Sequence, residues 1–297
     1  MDSYPPLAAA LVEDMERAAA ADPARAVAFQ GAPGAYSHQA VRELFPDRPP
    51  LPCFNFTSAL DAVQTGQAGT ALIPIENSLH GRVADIHFLL PESGLNITHE
   101  HFVRVRHCLL ALPGTARAAI RAAHSHPQAL GQCRLRLQEW NIEPHVEVDT
   151  AASAALVRER GEPSMAAIAS ELAGELYGLD AVAVGIEDEP HNTTRFVALS
   201  KTPFDPPADA AVMTSLTFEV RSVPAALFKA LGGFATNGVN LTKLESYMRG
   251  GQFQAAEFYI DIEGRRGDPA VDRAMEELMH FTKWVRVLGT YEQARQR

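Results

Sequence analysis

The stretch A-L-I-P-I-E-N-S-L-H-G (Ala71–Gly81) begins as an apolar strand and ends in three polar side chains, Glu76, Asn77 and Ser78. Two interpretations fit such an ending. The polar residues can form a turn in which Asn77 or Ser78 caps a following helix. They can also line a pocket at the carboxyl end of the strand, which is where open α/β sheets bind ligands. The stretch alone favours neither interpretation.

The sequence around this stretch alternates strand patterns with helix patterns. The apolar run Ala26–Phe29 is followed by the amphipathic stretch Tyr36–Phe45, and the alternation continues to Ser200. This order predicts an α/β fold with mostly parallel strands. A functional site is then expected beyond the carboxyl ends of the strands.

The C-terminal part has a different order of elements. A proline-rich segment over 202–209 breaks the periodicity and is predicted to be a linker. After it the pattern predicts strands and helices in the order β-α-β-β-α-β, which is that of a ferredoxin-like unit. The predicted strands cover 215–220, 239–247, 253–263 and 284–290, and the predicted helices cover 224–237 and 268–282. The pair Gly250-Gly251 suits a tight hairpin between the two middle strands.

The 297 residues carry a formal net charge of −10 and are 46% hydrophobic. This composition is typical of a globular protein of about two domains, and it argues against nucleic acid or an anionic membrane surface as the main partner. The three cysteines include no C-x-x-C pair, so we expect reduced cytosolic thiols rather than zinc or disulfides. Residues 1–24 lack the basic start of a signal peptide, and their composition predicts a helical or frayed extension. We expect the protein to be cytoplasmic.

Five polar clusters flank predicted strands: Gly31–Ser37, Glu76–Ser78, His124–Cys133, Asp149–Thr150 and His191–Phe196. Backbone N–H groups in the first cluster would suit an anion, and the arginine of the last can fork two donors toward a carboxylate. The two histidines of the third cluster lack a third ligand, so no metal is predicted there. A turn, a helix cap or a loop explains each single cluster about as well as a site does.

Taken together, the clusters carry a family resemblance. The segments F-Q-G-A-P-G-A-Y-S-H-Q-A, P-I-E-N-S-L-H-G, S-H-P-Q-A-L-G-Q-C, A-A-I-A-S and N-T-T-R-F occur in this order. They resemble the motifs of the prephenate dehydratase family, over about residues 26–290. The resemblance implies conversion of prephenate to phenylpyruvate with loss of carbon dioxide and water, a step of phenylalanine biosynthesis that needs no cofactor and no metal. It also implies two α/β lobes similar to those of periplasmic binding proteins, with the site in the cleft between them.

The resemblance also implies roles for individual residues. Thr194 is the implied central residue, which donates a hydrogen bond to the leaving ring hydroxyl. Arg195 is implied to bind a carboxylate of the substrate. Glu76 is either an acid of raised pKa or an anchor for Arg195, because a carboxylate repels a dianionic substrate. The implied substrate-binding residues are Ser37, Asn77, Ser78, Gln128, Thr150 and Phe196.

The implied domains are an extension over 1–24, a catalytic domain over 25–202, a linker over 203–212 and an ACT regulatory domain over 213–297. The two lobes are expected over 26–102 with 190–202, and over 103–189. ACT domains pair across a dimer and bind phenylalanine as a feedback inhibitor, so a homodimer or homotetramer is expected. The implied effector residues are Ala225, Ala226, Leu227, Asn240, Leu241, Glu245 and Ser246.

The C-terminal unit departs from the family pattern at two places. Ala225 and Phe228 stand where the usual P-G-A-L-V has glycine and valine, and Tyr247 and Met248 stand where the usual E-S-R-P has arginine and proline. Loss of the glycine removes room for a close backbone approach. Inhibition by phenylalanine, its strength and the identity of the effector are therefore open.

Two other functions fit the same features. Arogenate dehydratase acts on the same ring with an amino acid side chain, so the motifs do not separate it from prephenate dehydratase. A non-catalytic amino-acid sensor could also combine a two-lobed α/β fold with an ACT unit. The presence of Thr194-Arg195-Phe196 argues against the sensor.

Overall fold

The computed structural model describes residues 4–247 and 257–295. The predicted hairpin at Gly250-Gly251, the residue Met248 and the start of the predicted strand over 253–263 lie outside the described residues. The chain divides into two compact units, Met1–Leu89 with His101–Val197 and Leu90–Glu100 with Ala198–Arg297. The domain limits expected from the sequence stay a prediction.

The helices and strands follow one another along the chain with the bounds given next. They are α1 (Pro6–Ala21), β1 (Val27–Gln30), α2 (Tyr36–Leu44), β2 (Pro50–Cys53), α3 (Phe56–Gln64), β3 (Thr70–Asn77), β4 (Gly81–Arg82), α4 (Ala84–Glu92), β5 (Asn96–Arg104), β6 (Cys108–Ala111), β7 (Ala122–Ser125), α5 (Pro127–Gln132), α6 (Arg134–Glu139), β8 (Glu143–Val146), α7 (Thr150–Arg160), β9 (Met165–Ala169), α8 (Glu171–Tyr177), β10 (Asp180–Val184), β11 (Thr193–Ser200), β12 (Val212–Val220), α9 (Ala226–Thr236), β13 (Leu241–Tyr247), β14 (Glu257–Glu263), α10 (Pro269–Phe281) and β15 (Thr282–Glu292). Within residues 4–247 and 257–295, none of these helices has the length and apolar character required to cross a bilayer.

The first sheet has the strand order β2-β1-β3-β11-β5, with the short β4 paired to β3. Strand β1 is parallel to β2 and to β3. Its residues Val27, Ala28 and Phe29 are fully buried, because β1 lies inside the sheet and α2 and α3 pack against it. The end of β3 meets the start of β11, where the Ser78 N–H donates to the Thr193 carbonyl at 2.8 Å. The polar end of the opening stretch is therefore fixed beside the N-T-T-R-F segment.

The second sheet has the strand order β10-β6-β9-β7-β8. Strand β7 is parallel to β8 and β9, but β6 is antiparallel to both β9 and β10. The prediction of mostly parallel strands is therefore wrong for this sheet, which is mixed. Strand β6 follows β5 after three residues with no helix between them, so no helical crossover sets its direction.

The C-terminal elements form the predicted β-α-β-β-α-β unit. Its antiparallel sheet has the order β13-β14-β12-β15, and α9 and α10 contact each other. Leu216 and Phe218 alternate along β12 and pack in one core with Phe234 of α9 and Leu278 of α10. Apolar residues at every second position of the strand and at helical spacing on the helices all face this core. The prediction of a ferredoxin-like, ACT-like unit is therefore confirmed.

The N-terminal segment forms a helix that is part of the first unit. Ala8, Val12 and Ala19 are its buried residues, and α1 packs against β2 and α7. The Leu7 N–H donates to the Glu159 carboxylate at 2.6 Å. The small side chains on one face allow this close packing, which confirms the helical interpretation for Pro6–Ala21.

Ala225 has a backbone conformation that favours glycine. It precedes α9 with φ of +58° and ψ of +26°, which is left-handed. A left-handed non-glycine residue costs roughly 1–2 kcal/mol, whereas the extra chain entropy of glycine costs roughly 0.4–1 kcal/mol. We therefore expect Ala225→Gly to raise the free energy of unfolding by about 0.5 kcal/mol, measured by urea denaturation.

The neighbouring Ala226→Gly is the matched control for this change. Ala226 is the first residue of α9 and has no left-handed strain to relieve. Its replacement is expected to lower the free energy of unfolding by about 0.5–1 kcal/mol. A lower stability for Ala225→Gly as well would contradict the strain assigned to Ala225.

Candidate functional site

An open cavity of about 130 Å³ is lined by residues from six separate parts of the first unit. Its wall includes the start of α2, the end of β3, the β5–β6 connection, the β7–α5 and β8–α7 turns, and the start of β11. The lining residues are Tyr36, Asn77, Val105, His107, His126, Gln128, Ala129, Gln132, Thr150, Asn192 and Thr194. All five sequence clusters contribute side chains to this one wall.

Asn77 fixes the direction of the hydrogen bonds at the end of β3. Its Oδ1 accepts from the backbone N–H groups of Leu79 and His80 at 3.0 and 3.1 Å. The amide orientation is therefore set, and Nδ2 is the atom that faces β11. This Nδ2 donates to Asn192 Oδ1 at 2.6 Å and to Thr194 Oγ1 at 3.0 Å. Asn77 thus holds two other side chains through their acceptor atoms.

The first consequence concerns Thr194. Its oxygen already accepts from Asn77, so its O–H is left to donate elsewhere. Within residues 4–247 and 257–295, no acceptor takes this proton. A hydroxyl on the cavity wall is thereby oriented as a donor.

The second consequence concerns Asn192, which is completely buried. Its Oδ1 is taken by Asn77, and its Nδ2 has no hydrogen-bond partner among the described residues. A buried donor without an acceptor costs about 1–3 kcal/mol. Because Asn192 lines the cavity, a bound acceptor would relieve this cost.

Ser78 ties the two strands together rather than facing the cavity. Its hydroxyl donates to the His191 carbonyl at 3.1 Å and accepts from the Thr193 N–H at 2.9 Å. The chain then enters β4, and the next helix starts only at Ala84. The interpretation of Asn77 or Ser78 as a helix cap is therefore wrong, because Asn77 closes a turn and Ser78 bridges to β11.

Helix starts surround the same cavity. Helix α2 begins at Tyr36 and α7 begins at Thr150, and both residues line the wall; Gln128 lies in the first turn of α5. The N-terminal end of a helix carries partial positive charge and free N–H groups. No lysine or arginine is among the lining residues, so these helix ends supply the attraction for an anion. Asp149 caps α7, because its carboxylate accepts a hydrogen bond from the Ala152 N–H.

His107 and Tyr36 form a neutral polar group on the cavity wall. The His107 ring nitrogens lie 2.8 Å from the Tyr36 hydroxyl and 2.7 Å from Gln132 Oε1. Burial lowers the pKa of His107 from its usual value, so the ring is neutral near pH 7. Gln132 therefore accepts from the ring N–H, and Tyr36 donates toward the second nitrogen or toward the Arg106 carbonyl.

Glu76 and Arg195 form an ion pair next to the Asn77–Thr194 hydrogen bond. Arg195 Nη1 lies 3.1 Å from Glu76 Oε1, and the Arg195 side chain is only 1% exposed. Each residue of the pair is the chain neighbour of a cavity residue. Side chains alternate along a strand, so the pair points away from the side that carries Asn77 and Thr194.

The glycine-rich turn before α2 contacts the A-A-I-A-S segment and helix α8. The Ser170 hydroxyl donates to the Gly34 carbonyl at 2.5 Å, and the Tyr177 hydroxyl donates to the Pro33 carbonyl at 2.8 Å. A Cβ at Gly34 would lie 2.8 Å from the Ala173 backbone, and Gly34 has φ of +92°. Only glycine fits this approach, so the turn at the start of α2 is fixed by α8.

The structure brings some of the predicted site residues together and leaves others apart. Asn77, Gln128, Thr150 and Thr194 line the cavity, whereas Ser37, Glu76, Ser78, Arg195 and Phe196 are not on its wall. Phe196 is 1% exposed in β11. The implied effector residues Ala225, Ala226 and Leu227 lie at the start of α9, Asn240 precedes β13, and Leu241, Glu245 and Ser246 lie on β13, an edge strand of its sheet.

Sequence reasoning missed several wall residues, chiefly Tyr36, His107, His126 and Asn192. Tyr36, His126 and Asn192 stand inside the quoted motifs, so their positions were available as a signal. His107 carried no motif signal. Its only sequence cue is a polar residue directly before the apolar strand β6.

The family model described as "Prephenate dehydratase" matches residues 27–203. The chain belongs to the prephenate dehydratase family. A bifunctional N-acyl-homoserine lactone acylase/prephenate dehydratase of Komagataeibacter europaeus is 49% identical over 268 residues, which are 90% of this chain and 95% of that protein. Arogenate dehydratase/prephenate dehydratase 1 of Arabidopsis thaliana is 37% identical over 279 residues, covering 89% of this chain and 71% of that protein.

A solved structure supports both parts of the fold. Prephenate dehydratase from Arthrobacter aurescens in complex with L-Phe is 33% identical, with a TM-score of 0.82 over 91% of this chain and 90% of that chain. The similarity extends well beyond the family match into the C-terminal unit. The family assignment made from the motifs and the fold class made from the patterns are thus confirmed.

Proposed function

We propose that this chain catalyses the decarboxylating dehydration of prephenate to phenylpyruvate. The observation that carries the proposal is the donor orientation of the Thr194 hydroxyl, set by Asn77 at 3.0 Å. In this reaction the ring C–O bond breaks, the ring carboxylate leaves as carbon dioxide, and its electron pair completes the aromatic ring. The departing oxygen gains a proton and leaves as water. A positioned donor is the main assistance that such a step requires.

Thr194 and Asn192 are the proposed donors to the departing oxygen. A threonine hydroxyl is a poor acid, so Thr194 donates a hydrogen bond and relays a proton that solvent replaces. Asn192 Nδ2, which has no hydrogen-bond partner in the described part of the chain, supplies a second N–H from a buried amide. Preorganised donors of this kind stabilise charge as it develops on the oxygen.

The substrate carboxylates are proposed to lie at the helix starts. Tyr36 begins α2, and Thr150 begins α7 beside the cavity. Backbone N–H groups and neutral amides hold a dianion without burying an extra cation. Gln128 and Gln132 are the amides placed for this role.

Glu76 and Arg195 are proposed to position Asn77 and Thr194 without contact to substrate. Arg195→Lys replaces a guanidinium fork by one point charge and loosens the pair. We expect a fall in kcat/KM of roughly 10-fold and a loss of about 1–2 kcal/mol in the free energy of unfolding. Steady-state kinetics and denaturant unfolding measure the two quantities.

A surface ion pair offers a control for Arg195→Lys. Arg136 pairs with Glu139 at 2.8 Å with both side chains more than half exposed, so Arg136→Lys should change neither quantity. A rise in KM alone for Arg195→Lys, with normal kcat and stability, would instead indicate that Arg195 binds the substrate directly.

We prefer prephenate over arogenate because no carboxylate is among the residues that line the cavity, so none is placed to bind the ammonium group of arogenate. The test is kcat/KM for both substrates with the same purified chain. A higher value for prephenate supports the proposal. A clear preference for arogenate overturns it in favour of arogenate dehydratase, and ligand-induced thermal stabilisation without product would indicate a sensor.

Regulation by phenylalanine is proposed through the C-terminal unit. The L-Phe complex of the Arthrobacter aurescens relative motivates this proposal. Prephenate turnover with and without millimolar phenylalanine tests it. Insensitivity would mean that the changes at Ala225, Phe228 and Tyr247 have removed the effector site.

A second candidate function is hydrolysis of N-acyl homoserine lactones. The 49% identity to the bifunctional protein of Komagataeibacter europaeus favours this candidate. Its test is the release of free homoserine lactone from N-octanoyl homoserine lactone by the purified chain. No release above a sample without enzyme would remove this candidate and would leave the dehydratase proposal unaffected.

A further inference from the structure

A second cavity of about 300 Å³ lies next to the candidate site and has a different chemical character. The β8–α7 turn separates the two, because Thr150 lines the first cavity and Asp149 lines the second. The second cavity is lined by Tyr4, Pro5, Gln30, Gly31, Ala32, Phe54, Glu147, Val148, Asp149, Ala152, Ser153 and Leu156. The dehydratase account uses none of these side chains.

The charge of this cavity excludes the anionic substrate. Glu147 and Asp149 are on its wall, and no lysine, arginine or histidine is among its lining residues. Two carboxylates repel prephenate and phenylpyruvate, both of which are anions. The ligand that fits is therefore not the substrate of the dehydratase.

Most polar atoms of the wall are already engaged within the protein. The Asp149 carboxylate accepts from the Ala152 N–H at 2.8 Å, and the Ser153 hydroxyl donates to the Asp149 carbonyl at 2.7 Å. Glu147 Oε1 lies 3.0 Å from His124 Nδ1, and the Tyr4 hydroxyl donates to the Gly31 carbonyl at 3.4 Å. Burial raises the pKa of both Tyr4 and Asp149, in keeping with poor hydration.

What the cavity offers a ligand is apolar surface. The rings of Tyr4 and Phe54 are 5.6 Å apart, and Phe54 and Val148 are 39% and 85% exposed. Leu156, Ala152 and Ala32 complete this surface. An uncharged chain of methylene groups would bury here at about 0.8 kcal/mol per group.

The cavity is completed by a segment that the family match leaves out. Tyr4 and Pro5 stand at the start of α1, whereas the family model begins at residue 27. Helix α1 packs on β2 and α7, and Tyr4 and Pro5, directly before it, line the cavity. Residues outside the family match therefore form part of the wall of this cavity.

We propose that this second cavity binds the acyl chain of an uncharged N-acyl amide, of the N-acyl homoserine lactone class. The proposal rests on the second candidate function and gives it a site. The lactone amide has no charge to be repelled by Glu147 and Asp149, and its chain matches the apolar wall. Binding needs neither Thr194 nor Asn192.

The test is equilibrium dialysis of the full chain with N-octanoyl and N-butanoyl homoserine lactone, with intact ligand quantified by mass spectrometry. We expect the octanoyl ligand to bind at least ~10-fold more tightly, because its added methylene groups are buried. Ala152→Leu fills the cavity, and Val148→Asp adds a charge to its wall. Each should weaken octanoyl binding by at least ~10-fold.

Val146→Asp is the matched control, because Val146 is 68% exposed, lies two residues before Val148 and is not on the wall. It should leave octanoyl binding unchanged, and Ala152→Leu and Val146→Asp should keep wild-type turnover of prephenate. Equal affinity for both chain lengths, absent binding, or octanoyl binding that ignores Ala152→Leu and Val148→Asp would overturn the cavity assignment. Lactone release and phenylpyruvate formation, assayed on the same samples, report separately on the two proposed functions.

Discussion

Thr194→Ala is expected to lower kcat for prephenate by at least ~100-fold, the low end for loss of a positioned donor. The reason is specific to this site. Asn77 occupies the acceptor side of the Thr194 hydroxyl, so its proton is directed away from Asn77. Alanine removes that donor, whereas Thr194→Ser retains the hydroxyl and should keep a larger part of the turnover. Phenylpyruvate formation in the steady state measures the effect.

Thr193→Ala is the matched control for this prediction. Thr193 is the preceding residue on β11, its hydroxyl donates to the His191 carbonyl at 3.3 Å, and it is not on the cavity wall. It should retain kcat close to that of the wild type. Near-normal turnover by Thr194→Ala would remove Thr194 from the mechanism.

Asn77→Asp is the second change with a large expected effect. The side chains have almost the same shape, but the aspartate has no N–H to donate. A carboxylate oxygen would then face Asn192 Oδ1 and Thr194 Oγ1, which lie 2.6 and 3.0 Å from Asn77 Nδ2 in the native protein. The Thr194 proton would turn back toward residue 77 instead of toward substrate. We expect kcat/KM to fall by at least ~100-fold, the usual range for loss of one preorganised donor.

The same amide-to-acid change outside the cavity provides the comparison. Asn55 caps α3 by accepting from the Ser58 N–H at 2.8 Å, and aspartate caps a helix equally well. Asn55→Asp should therefore retain both stability and turnover. If Asn77→Asp behaved like Asn55→Asp, the donor network assigned to the site would be wrong.

The sequence predicted which strand ends carry the site, because polar residues interrupt apolar runs at those points. Asn77 and Thr194 were both among the predicted residues, and they meet although 117 residues separate them. Periodicity alone predicts which residues form β3 and β11, but it does not predict that the two strands are neighbours. The resemblance to a known family supplied that link.

Other parts of the site depend on contacts that no local pattern encodes. Whether Glu76 faces substrate or Arg195 was left open by the sequence, and the 3.1 Å ion pair favours the second role. Asn192 lies in the N-T-T-R-F segment, but only the structure shows that its Nδ2 is buried and has no partner among residues 4–247 and 257–295. The antiparallel direction of β6 likewise depends on a short connection between sheets. In each case a distant partner, rather than the residue type, decides the role.

The central claim is that the cavity at Asn77 and Thr194 turns over prephenate. The most direct measurement is phenylpyruvate and carbon dioxide formation from prephenate by the purified chain, beside Thr194→Ala and a sample without enzyme. The account predicts equal amounts of both products from the wild type, and a rate for Thr194→Ala at least ~100-fold lower. Wild-type formation no faster than the sample without enzyme would contradict the claim.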